Sequence, residues 1–171
     1  MNRQILKKPL TSRIHDRDHH HPMERTPVAV RENMEDLQKR CRAAGMNVTP
    51  QRLAVYRALL ESEEHPTPEI LYRKVRRSMP SLSLATIYKA LDVLESLGLV
   101  RAIDIDSESR RYDANRNRHH HLVCRHCRKV IDFYDAALDQ LRPENRIAGF
   151  VTESVSVNIS GLCEKCRRSV R

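Results

Sequence analysis

Glycine and long apolar segments are both scarce in this 171-residue chain, which contains four glycines. No apolar run approaches the roughly 20 residues that span a bilayer, and no hydrophobic signal-peptide segment follows Met1. We therefore expect no membrane partner, and the cytoplasm as the location. Charged residues make up 31% of the chain, which together with the few glycines favours helical segments in contact with water.

Two enzyme signatures are also missing. A zinc deaminase needs H-x-E followed by P-C-x-x-C, but no Glu lies two residues after any histidine of His119–His121, and no proline precedes Cys124 or Cys163. A thiol–disulfide oxidoreductase has its C-x-x-C at the start of a helix beside a βαβ unit, whereas Cys124 follows a predicted strand. We expect a protein that is not an enzyme and takes no small organic ligand.

The chain is basic, with a net charge of +9. Such a charge indicates a polyanionic partner. However, residues 35–113 hold 13 basic and 12 acidic residues, while residues 114–171 hold 11 and 6. Because the excess lies mostly outside the segment predicted below to read DNA, charge alone does not identify nucleic-acid binding.

The cysteines form two pairs with the same spacing, Cys124-x2-Cys127 and Cys163-x2-Cys166. Two such pairs can place four thiolates around one Zn²⁺. Ordinary buried cysteines or disulfides are the alternative. Because four thiolates leave no open coordination position, we predict a structural zinc site that closes a small domain.

The first part of the chain, residues 1–33, is predicted to be a flexible N-terminal arm, because prolines and scattered charges interrupt any apolar period. His15 and His19–His21 within it suggest weak metal binding, or simply a disordered polar tract.

Helix signals follow in residues 34–113. Capping residues and apolar spacing predict helices over Met34–Ala44, from Thr49-Pro50 through Leu60, from Thr67-Pro68 to Pro80, and over Leu84–Leu97 after Ser83. A hairpin of Leu99–Ile105 and Arg110–Tyr112, with a turn at Asp106–Ser109, comes next. This order indicates a winged helix-turn-helix domain, with an ordinary helical bundle as the alternative.

In a winged helix-turn-helix the last helix lies in the DNA major groove. The exposed face of Leu84–Leu97 and its cap offers side chains that contact bases, thymine methyls and phosphates. The predicted DNA contacts on this face are Ser83, Thr86, Tyr88 and Lys89.

Residues 114–171 combine strands with a helix. The pattern predicts strands at Leu122-Val123, Val130–Phe133 and Val151–Ile159, and a helix from Ala136 to about Arg146. A small sheet with one helix, closed by zinc, indicates a dimerisation domain. The predicted fold class is therefore α+β: an N-terminal winged helix-turn-helix domain and a C-terminal small α/β dimerisation domain with a structural zinc site of four cysteines.

Histidines and carboxylates form a second candidate metal site. His119 and His121 project to the same side of an extended segment, between Asp113 at the end of the wing and Asp132 on the strand after the first cysteine pair. His65, in the other domain, completes the set. Three imidazoles and two carboxylates suit Fe²⁺ or Mn²⁺. Polar residues that bind nothing, beside a purely structural zinc site, are the alternative.

From about residue 34 to 171 the chain resembles the ferric uptake regulator family of metal-dependent repressors. The stretches that carry the resemblance are Val48–Arg52, His65–Thr67, Leu84–Tyr88, Ser109–Asp113, His119–Cys124 and both C-x-x-C pairs. The resemblance implies a homodimer that binds A/T-rich palindromes in double-stranded DNA, with Arg52 among the DNA contacts. It implies structural Zn²⁺ at the four cysteines and regulatory Fe²⁺ or Mn²⁺ at His65, Asp113, His119, His121 and Asp132.

The choice of branch within the family depends on Asp132. Aspartate here, rather than glutamate, resembles the peroxide-sensing branch, in which bound Fe²⁺ reacts with hydrogen peroxide and oxidises a ligand histidine. His65 and His119 match the histidines that are oxidised there. We therefore expect a peroxide-sensing repressor. The alternative is a repressor that senses the level of iron or manganese, and such proteins often carry a further His-rich site, for which this chain offers His120 and Asp139.

Overall fold

The computed structural model describes residues 23–104, 110–141, 148–151 and 155–169. In these ranges the elements are α1 (Pro27–Ala43), α2 (Pro50–Leu60), α3 (Pro68–Val75), α4 (Leu84–Ser96), β1 (Arg101–Asp104), β2 (Arg110–Asp113), β3 (His120–Cys124), β4 (Val130–Phe133), α5 (Ala136–Asp139), β5 (Asn158–Gly161) and α6 (Glu164–Ser169). This mixture confirms the predicted α+β class. No helix described is long and apolar enough to cross a membrane. His15, His19–His21 and the predicted turn Asp106–Ser109 lie outside the described residues.

The starts of α2, α3 and α4 are set by hydroxyl side chains. Thr49 accepts a hydrogen bond from the backbone N–H of Arg52 at 3.2 Å, and Thr67 and Ser83 make the same contact three residues downstream. Each such cap satisfies an N–H group that has no partner inside the helix and contributes about 1 kcal/mol. The predicted starts of these three helices are confirmed.

Helix α1 begins earlier than predicted. Thr26 caps it and Pro27 occupies its first position, so that residues 27–33 are helical instead of belonging to the arm predicted over 1–33. Proline at this position has a backbone angle that already suits a helix. The sequence suggested a later start because the fully buried side chains of α1 begin only at Met34.

The four helices α1 to α4 enclose one hydrophobic core. Every helix contributes completely buried side chains, among them Leu37, Tyr56, Leu71 and Leu91. Burying one large apolar side chain contributes about 1.5–3 kcal/mol, so this core is the main source of stability for the N-terminal part. Gly98 then turns the chain toward β1 with a φ of 65°, a conformation that glycine adopts without strain.

Strands β1 and β2 form the predicted wing. They pair antiparallel, with Arg101 opposite Asp113. Pairing begins at Arg101 rather than at the predicted Leu99, because Leu99 and Val100 are buried in the helical core. The first two apolar residues of the predicted strand thus pack into the helical core, and only the residues after them pair as a strand.

A second, three-stranded sheet has the order β4-β3-β5. The central strand β3 pairs antiparallel with β4 and parallel with β5. The predicted strands at Leu122-Val123 and Val130–Phe133 are confirmed, and β3 extends over His120–Cys124. The centre of this sheet therefore carries residues of both candidate metal sites.

The strand predicted over Val151–Ile159 is wrong in its extent. The described strand is β5, and Val151 and residues 155–157 lie outside any strand, while residues 152–154 are not described. Pairing with β3 begins at Asn158, opposite His121. Alternating apolar residues indicate that side chains point to opposite faces of an extended segment, but they do not show where a neighbouring strand is present to pair with it.

The last two helices also differ from expectation. The helix predicted from Ala136 to about Arg146 is described only over α5, which ends at Asp139 with Gln140 as its C-cap. No side chain of α5 is buried, so packing does not prolong it; residues 142–147 are not described. Helix α6 was not predicted, and it places Cys166 on its buried side.

Two hydrogen bonds hold the loop before α3 against strand β2. The Tyr112 N–H donates to the Pro66 carbonyl at 3.1 Å, and the Arg111 guanidinium donates to the His65 carbonyl at 2.8 Å. These contacts join residues far apart in the chain. They bring His65 beside Asp113, the last residue of β2.

Candidate metal centres

The four paired cysteines come together at one end of β3. Cys124 ends β3 and Cys127 lies in the turn that follows it. Cys163 directly precedes α6, and Cys166 lies within that helix. Their sulfur atoms all lie within 4.8 Å of one another, and the Cys127 and Cys163 sulfurs are 3.7 Å apart. Four sulfurs placed tetrahedrally at about 2.3 Å from a zinc ion lie about 3.8 Å from one another. The cluster fits such an ion.

The thiols of this cluster are free rather than bonded, since a disulfide needs sulfurs about 2.05 Å apart. Backbone N–H groups of Cys127 and Cys163 lower the pKa of Cys124 to about 5; the Cys163 N–H lies 3.3 Å from the Cys124 sulfur. Burial, together with the neighbouring thiols, raises the pKa of Cys166 to about 12. The site thus favours a thiolate at Cys124 and disfavours a second one at Cys166, unless a cation offsets the charge.

The second cluster lies at the other end of β3. Its members come from the loop before α3, from the end of β2, and from β3 and the residue before it. One nitrogen or oxygen of each of four buried side chains lies within 4.8 Å of the others; the four residues are His65, Asp113, His119 and His121. Asp132, on β4, stands opposite His121 in the sheet register. The structure therefore brings all five predicted ligands together.

The distances within this cluster are short. His65 Nε2 lies 2.9 Å from Asp132 Oδ1 and 3.6 Å from Asp113 Oδ1. His119 Nε2 lies 3.0 Å from Asp113 Oδ2 and 3.0 Å from His121 Nε2. We name these five side chains the regulatory cluster. Four of them lie within 4.8 Å of one another, and Asp132 Oδ1 lies beside His65 and 3.8 Å from His119 Nε2, a spacing that suits the ligands of a divalent cation.

The pKa values of His119, His121 and Asp132 are shifted in different directions within the regulatory cluster. Burial, followed by repulsion from His65 and His119, lowers the pKa of His121 to about 4. Burial also acts to lower the pKa of His119, but its bond to Asp113 outweighs this and raises the pKa. Burial acts to raise the pKa of Asp132, but the nearby His65 imidazole and the hydrogen bond from Asn115 outweigh it and hold this pKa below its usual range.

One oxygen of the regulatory cluster indicates a metal ligand. Asp132 Oδ1 is buried, and although His65 Nε2 is close, it makes no hydrogen bond of normal geometry within the described residues. A buried carboxylate oxygen without such a bond is costly unless a cation binds it. The residues present therefore fit a divalent metal ion.

His120 points away from the regulatory cluster. Its side chain is completely buried, its Nδ1 accepts a hydrogen bond from the Val157 N–H at 3.2 Å, and its Nε2 lies 3.3 Å from Asp139 Oδ1. The same Asp139 oxygen lies 3.1 Å from Arg118 Nε. His120 and Asp139 are therefore neighbours, and the Arg118 guanidinium supplies a positive charge next to the same Asp139 oxygen.

Sequence reasoning missed two residues that contact the regulatory cluster. Arg101 Nη2 lies 3.4 Å from Asp113 Oδ2 and donates to the Asn115 carbonyl at 2.9 Å. Asn115 donates to Asp132 Oδ2 at 2.9 Å. Neither residue belongs to a ligand type or a spaced motif, so the sequence alone carries no signal for them.

A profile of the ferric uptake regulator family matches residues 43–160. The chain belongs to the ferric uptake regulator family. The peroxide-responsive repressor PerR of Staphylococcus epidermidis is 31% identical over 140 residues, which cover 81% of this chain and 93% of that protein. PerR of Staphylococcus aureus is also 31% identical over 140 residues and is covered to 95%.

Two solved structures of similar proteins have a similar fold. The ferric uptake regulator Fur of Helicobacter pylori matches with a TM-score of 0.65 at 22% identity, over 81% of this chain and 93% of that one, which shows the fold alone. The peroxide stress regulator of Campylobacter jejuni matches with a TM-score of 0.57 at 31% identity, over 78% of this chain and 98% of that one.

The candidate DNA contacts of this ferric uptake regulator family member lie on α2, α4 and the α4 cap. Ser83 caps α4, and its hydroxyl lies 2.8 Å from that of Thr86. Tyr88 is exposed and donates to Glu69 Oε1 at 2.9 Å, a bond that raises the pKa of Tyr88. Lys89 is exposed. The fifth candidate, Arg52, lies on α2, where its guanidinium donates to the Asn47 carbonyl. Their role on DNA stays a prediction.

Proposed function

We propose that this protein is a metal-dependent DNA-binding transcriptional repressor that senses hydrogen peroxide through Fe²⁺-catalysed oxidation of ligand histidines. One observation carries the proposal: the regulatory cluster unites His65, which precedes α3, with His121 and Asp132 of the three-stranded sheet. A metal held there joins the helical part of the chain to the sheet. Binding or loss of this metal can then change the position of the DNA-reading helices relative to the sheet.

The proposal assigns a separate role to each of the two domains of the chain. Residues 34–113 act as the winged-helix DNA-binding domain and residues 114–171 as the dimerisation and metal-sensing domain, after the N-terminal arm. The four clustered cysteines hold structural Zn²⁺, which their sulfur spacing supports. The protein acts as a homodimer on an A/T-rich palindromic operator, in keeping with its membership of a family of regulators.

Metal binding at the regulatory cluster fixes the angle between the two domains. Asp113 ends the wing and lies 3.0 Å from His119 across the segment that joins the domains. When a cation binds both side chains, the two recognition helices of the dimer are held at the spacing of operator half-sites, about one DNA turn apart. Loss of the metal frees the joint and shifts the population toward forms that bind DNA weakly.

Peroxide sensing is supported by the ligand set and by the PerR relatives. Asp132 occupies the position at which the sequence distinguishes the peroxide-sensing branch, and it lies 2.9 Å from His65. When Fe²⁺ is bound, it supplies the electrons that reduce hydrogen peroxide and so produces an oxidant next to the imidazoles. His65 and His119 are the proposed targets, because they match the histidines that are oxidised in the peroxide-sensing branch; each also lies about 3 Å from a carboxylate of the cluster. An oxidised imidazole is a poorer ligand, so metal and operator are released.

Peptide mass spectrometry on anaerobically prepared Fe²⁺- and Mn²⁺-loaded protein tests this proposal. After a low dose of hydrogen peroxide, we expect a one-oxygen gain on His65 or His119 in the iron form alone. The manganese form is the matched control, because it fills the same ligands without the iron chemistry. Intact histidines in both forms, with full metal content, would replace the proposal by its alternative, a repressor that senses iron or manganese levels.

A further inference from the structure

Asn115 makes an unusual set of hydrogen bonds in the segment between β2 and β3. It is 2% exposed. Its backbone N–H donates to Asp113 Oδ1 at 2.7 Å, while its side-chain Nδ2 donates to Asp132 Oδ2 at 2.9 Å and to the Tyr134 hydroxyl at 2.8 Å. One residue that is not itself a ligand therefore contacts both carboxylates of the regulatory cluster.

The other end of the Asn115 amide reaches a third ligand. Its Oδ1 accepts a hydrogen bond from the Asn117 N–H at 3.1 Å, and the Asn117 carbonyl lies 2.7 Å from His119 Nδ1. A carbonyl oxygen only accepts hydrogen bonds, so His119 Nδ1 carries a hydrogen. The Asn117 carbonyl is a shorter contact of Nδ1 than Arg101 Nη2, which lies 3.5 Å away. Nε2 faces Asp113 and His121 and lies 3.0 Å from the Asp113 carboxylate, so Nε2 is the atom left to bind a metal once any proton it shares with Asp113 is lost.

We propose that Asn115 is a positioning residue, which orients three ligand side chains of the regulatory cluster and thereby sets its affinity for a divalent cation. The inference rests on the proposed function, since it takes the cluster to be a metal site. Hydrogen bonds to the far atoms of ligands fix their rotation and tautomer, and losing such a contact typically weakens metal binding about 10–100-fold.

Side-chain variants separate the contacts of Asn115. The bond to Asp113 comes from the backbone, so it survives any replacement except proline. Asn115→Ala removes the contacts to Asp132 and to the Asn117 N–H together. Asn115→Ser keeps a hydroxyl that can accept from the Asn117 N–H, but it is too short to reach Asp132. The control is Asn47→Ala, the same chemical change at an exposed site between α1 and α2.

The test is calorimetric titration of Mn²⁺ into full-length protein that holds zinc but has been stripped of regulatory metal. We expect Asn115→Ala to weaken Mn²⁺ binding about 10–100-fold and Asn115→Ser to weaken it less, while Asn47→Ala binds like the wild type. Zinc content and elution volume should match the wild type in all variants that fold. A general loss of stability would lower both of these as well.

A second readout uses metal-free protein and needs no bound cation. Multiple-bond ¹H–¹⁵N spectra should show a hydrogen on His119 Nδ1, donated to the Asn117 carbonyl, in the wild type and in Asn115→Ser, whatever the state of Nε2 beside Asp113. In Asn115→Ala this Nδ1 hydrogen should be lost or should exchange faster with water. If the alanine variant does not fold, the role of Asn115 is tested by the Mn²⁺ affinity of the serine variant and by the spectrum of the wild type. Wild-type affinity in Asn115→Ser, or the absence of a hydrogen on Nδ1 of wild-type His119, overturns the role of Asn115, whereas a wild-type protein that binds no Mn²⁺ contradicts the proposed function.

Discussion

At the scale of single residues, burial acts to lower the pKa of both His119 and His121, and a neighbouring carboxylate reverses this for His119. The pKa of His121 falls to about 4, chiefly through burial, whereas the bond to Asp113 leaves that of His119 raised. A metal ion therefore meets a neutral His121 but has to displace a proton from His119.

Metal affinity should for this reason depend on pH. Because the pKa of His119 is raised from its usual value near 6.5, the proton that competes with the metal stays bound to a higher pH. Mn²⁺ affinity is expected to rise with pH, and to keep rising above about pH 6.5, the usual pKa of histidine, until His119 has lost its proton. Calorimetry in buffers of different ionisation enthalpy counts the protons released, and binding that releases none near neutral pH would refute this assignment.

His65 contributes the link between the loop before α3 and the sheet. His65→Ala should keep zinc and the dimer but lose the metal-induced gain in operator affinity, which for typical coupling energies is about 5–150-fold. Fluorescence anisotropy on an operator duplex, with and without Mn²⁺, measures that gain. His126→Ala, at an exposed position between the cysteines of the first pair, is the control. An undiminished gain in the His65 variant would exclude the hinge-fixing role.

At the scale of elements, local capping signals proved the most informative part of the sequence. Thr49, Thr67 and Ser83 each precede a helix start, and each side chain makes the expected backbone contact. Such contacts span three residues and depend on little else. Strand pairing depends on distant partners, which explains why the segment before β5 was assigned to a strand although its pairing with β3 starts at Asn158.

Removal of one cap should have a measurable cost. Thr49→Ala deletes the acceptor for the Arg52 N–H and is expected to lower the free energy of unfolding by about 1 kcal/mol. Urea denaturation of the metal-loaded protein measures this change. Thr49→Ser, which keeps the hydroxyl, should retain most of the stability; equal losses in both variants would show that the hydroxyl is not responsible.

The candidate ligands, which the structure brings together, could be predicted because cysteine, histidine and aspartate are the residue types that bind metal ions. The contacts that orient them were not. Asn115 acts through one backbone and two side-chain groups toward Asp113, Asp132 and Asn117, and asparagine in a polar segment has no distinguishing spacing. Only the folded chain, which places β2 and β4 on either side of it, reveals the arrangement.

At the scale of the whole molecule, the cysteine cluster ties the end of β3 to α6. Cys163→Ser should release zinc and destabilise the dimer, because metal binding and folding of such sites are coupled. Metal analysis by mass spectrometry and light scattering check the two effects. Cys41→Ala is the control, since Cys41 lies in the helical core and its loss should leave zinc content unchanged. A stable, zinc-free dimer of the Cys163 variant would rule out the structural role.

The short strand β3 contributes a residue to each of the two candidate metal sites. His121 and Cys124 are three positions apart on β3, a separation of about 10 Å along an extended chain. The pairing that aligns His121 with Asp132 also aligns Val123 with Val130 beside the first cysteine pair. We therefore expect a fixed order of metal loading: a newly made subunit has to acquire zinc before it can respond to the second metal. Zinc supply then decides how many of the subunits in a cell can take part in regulation at all.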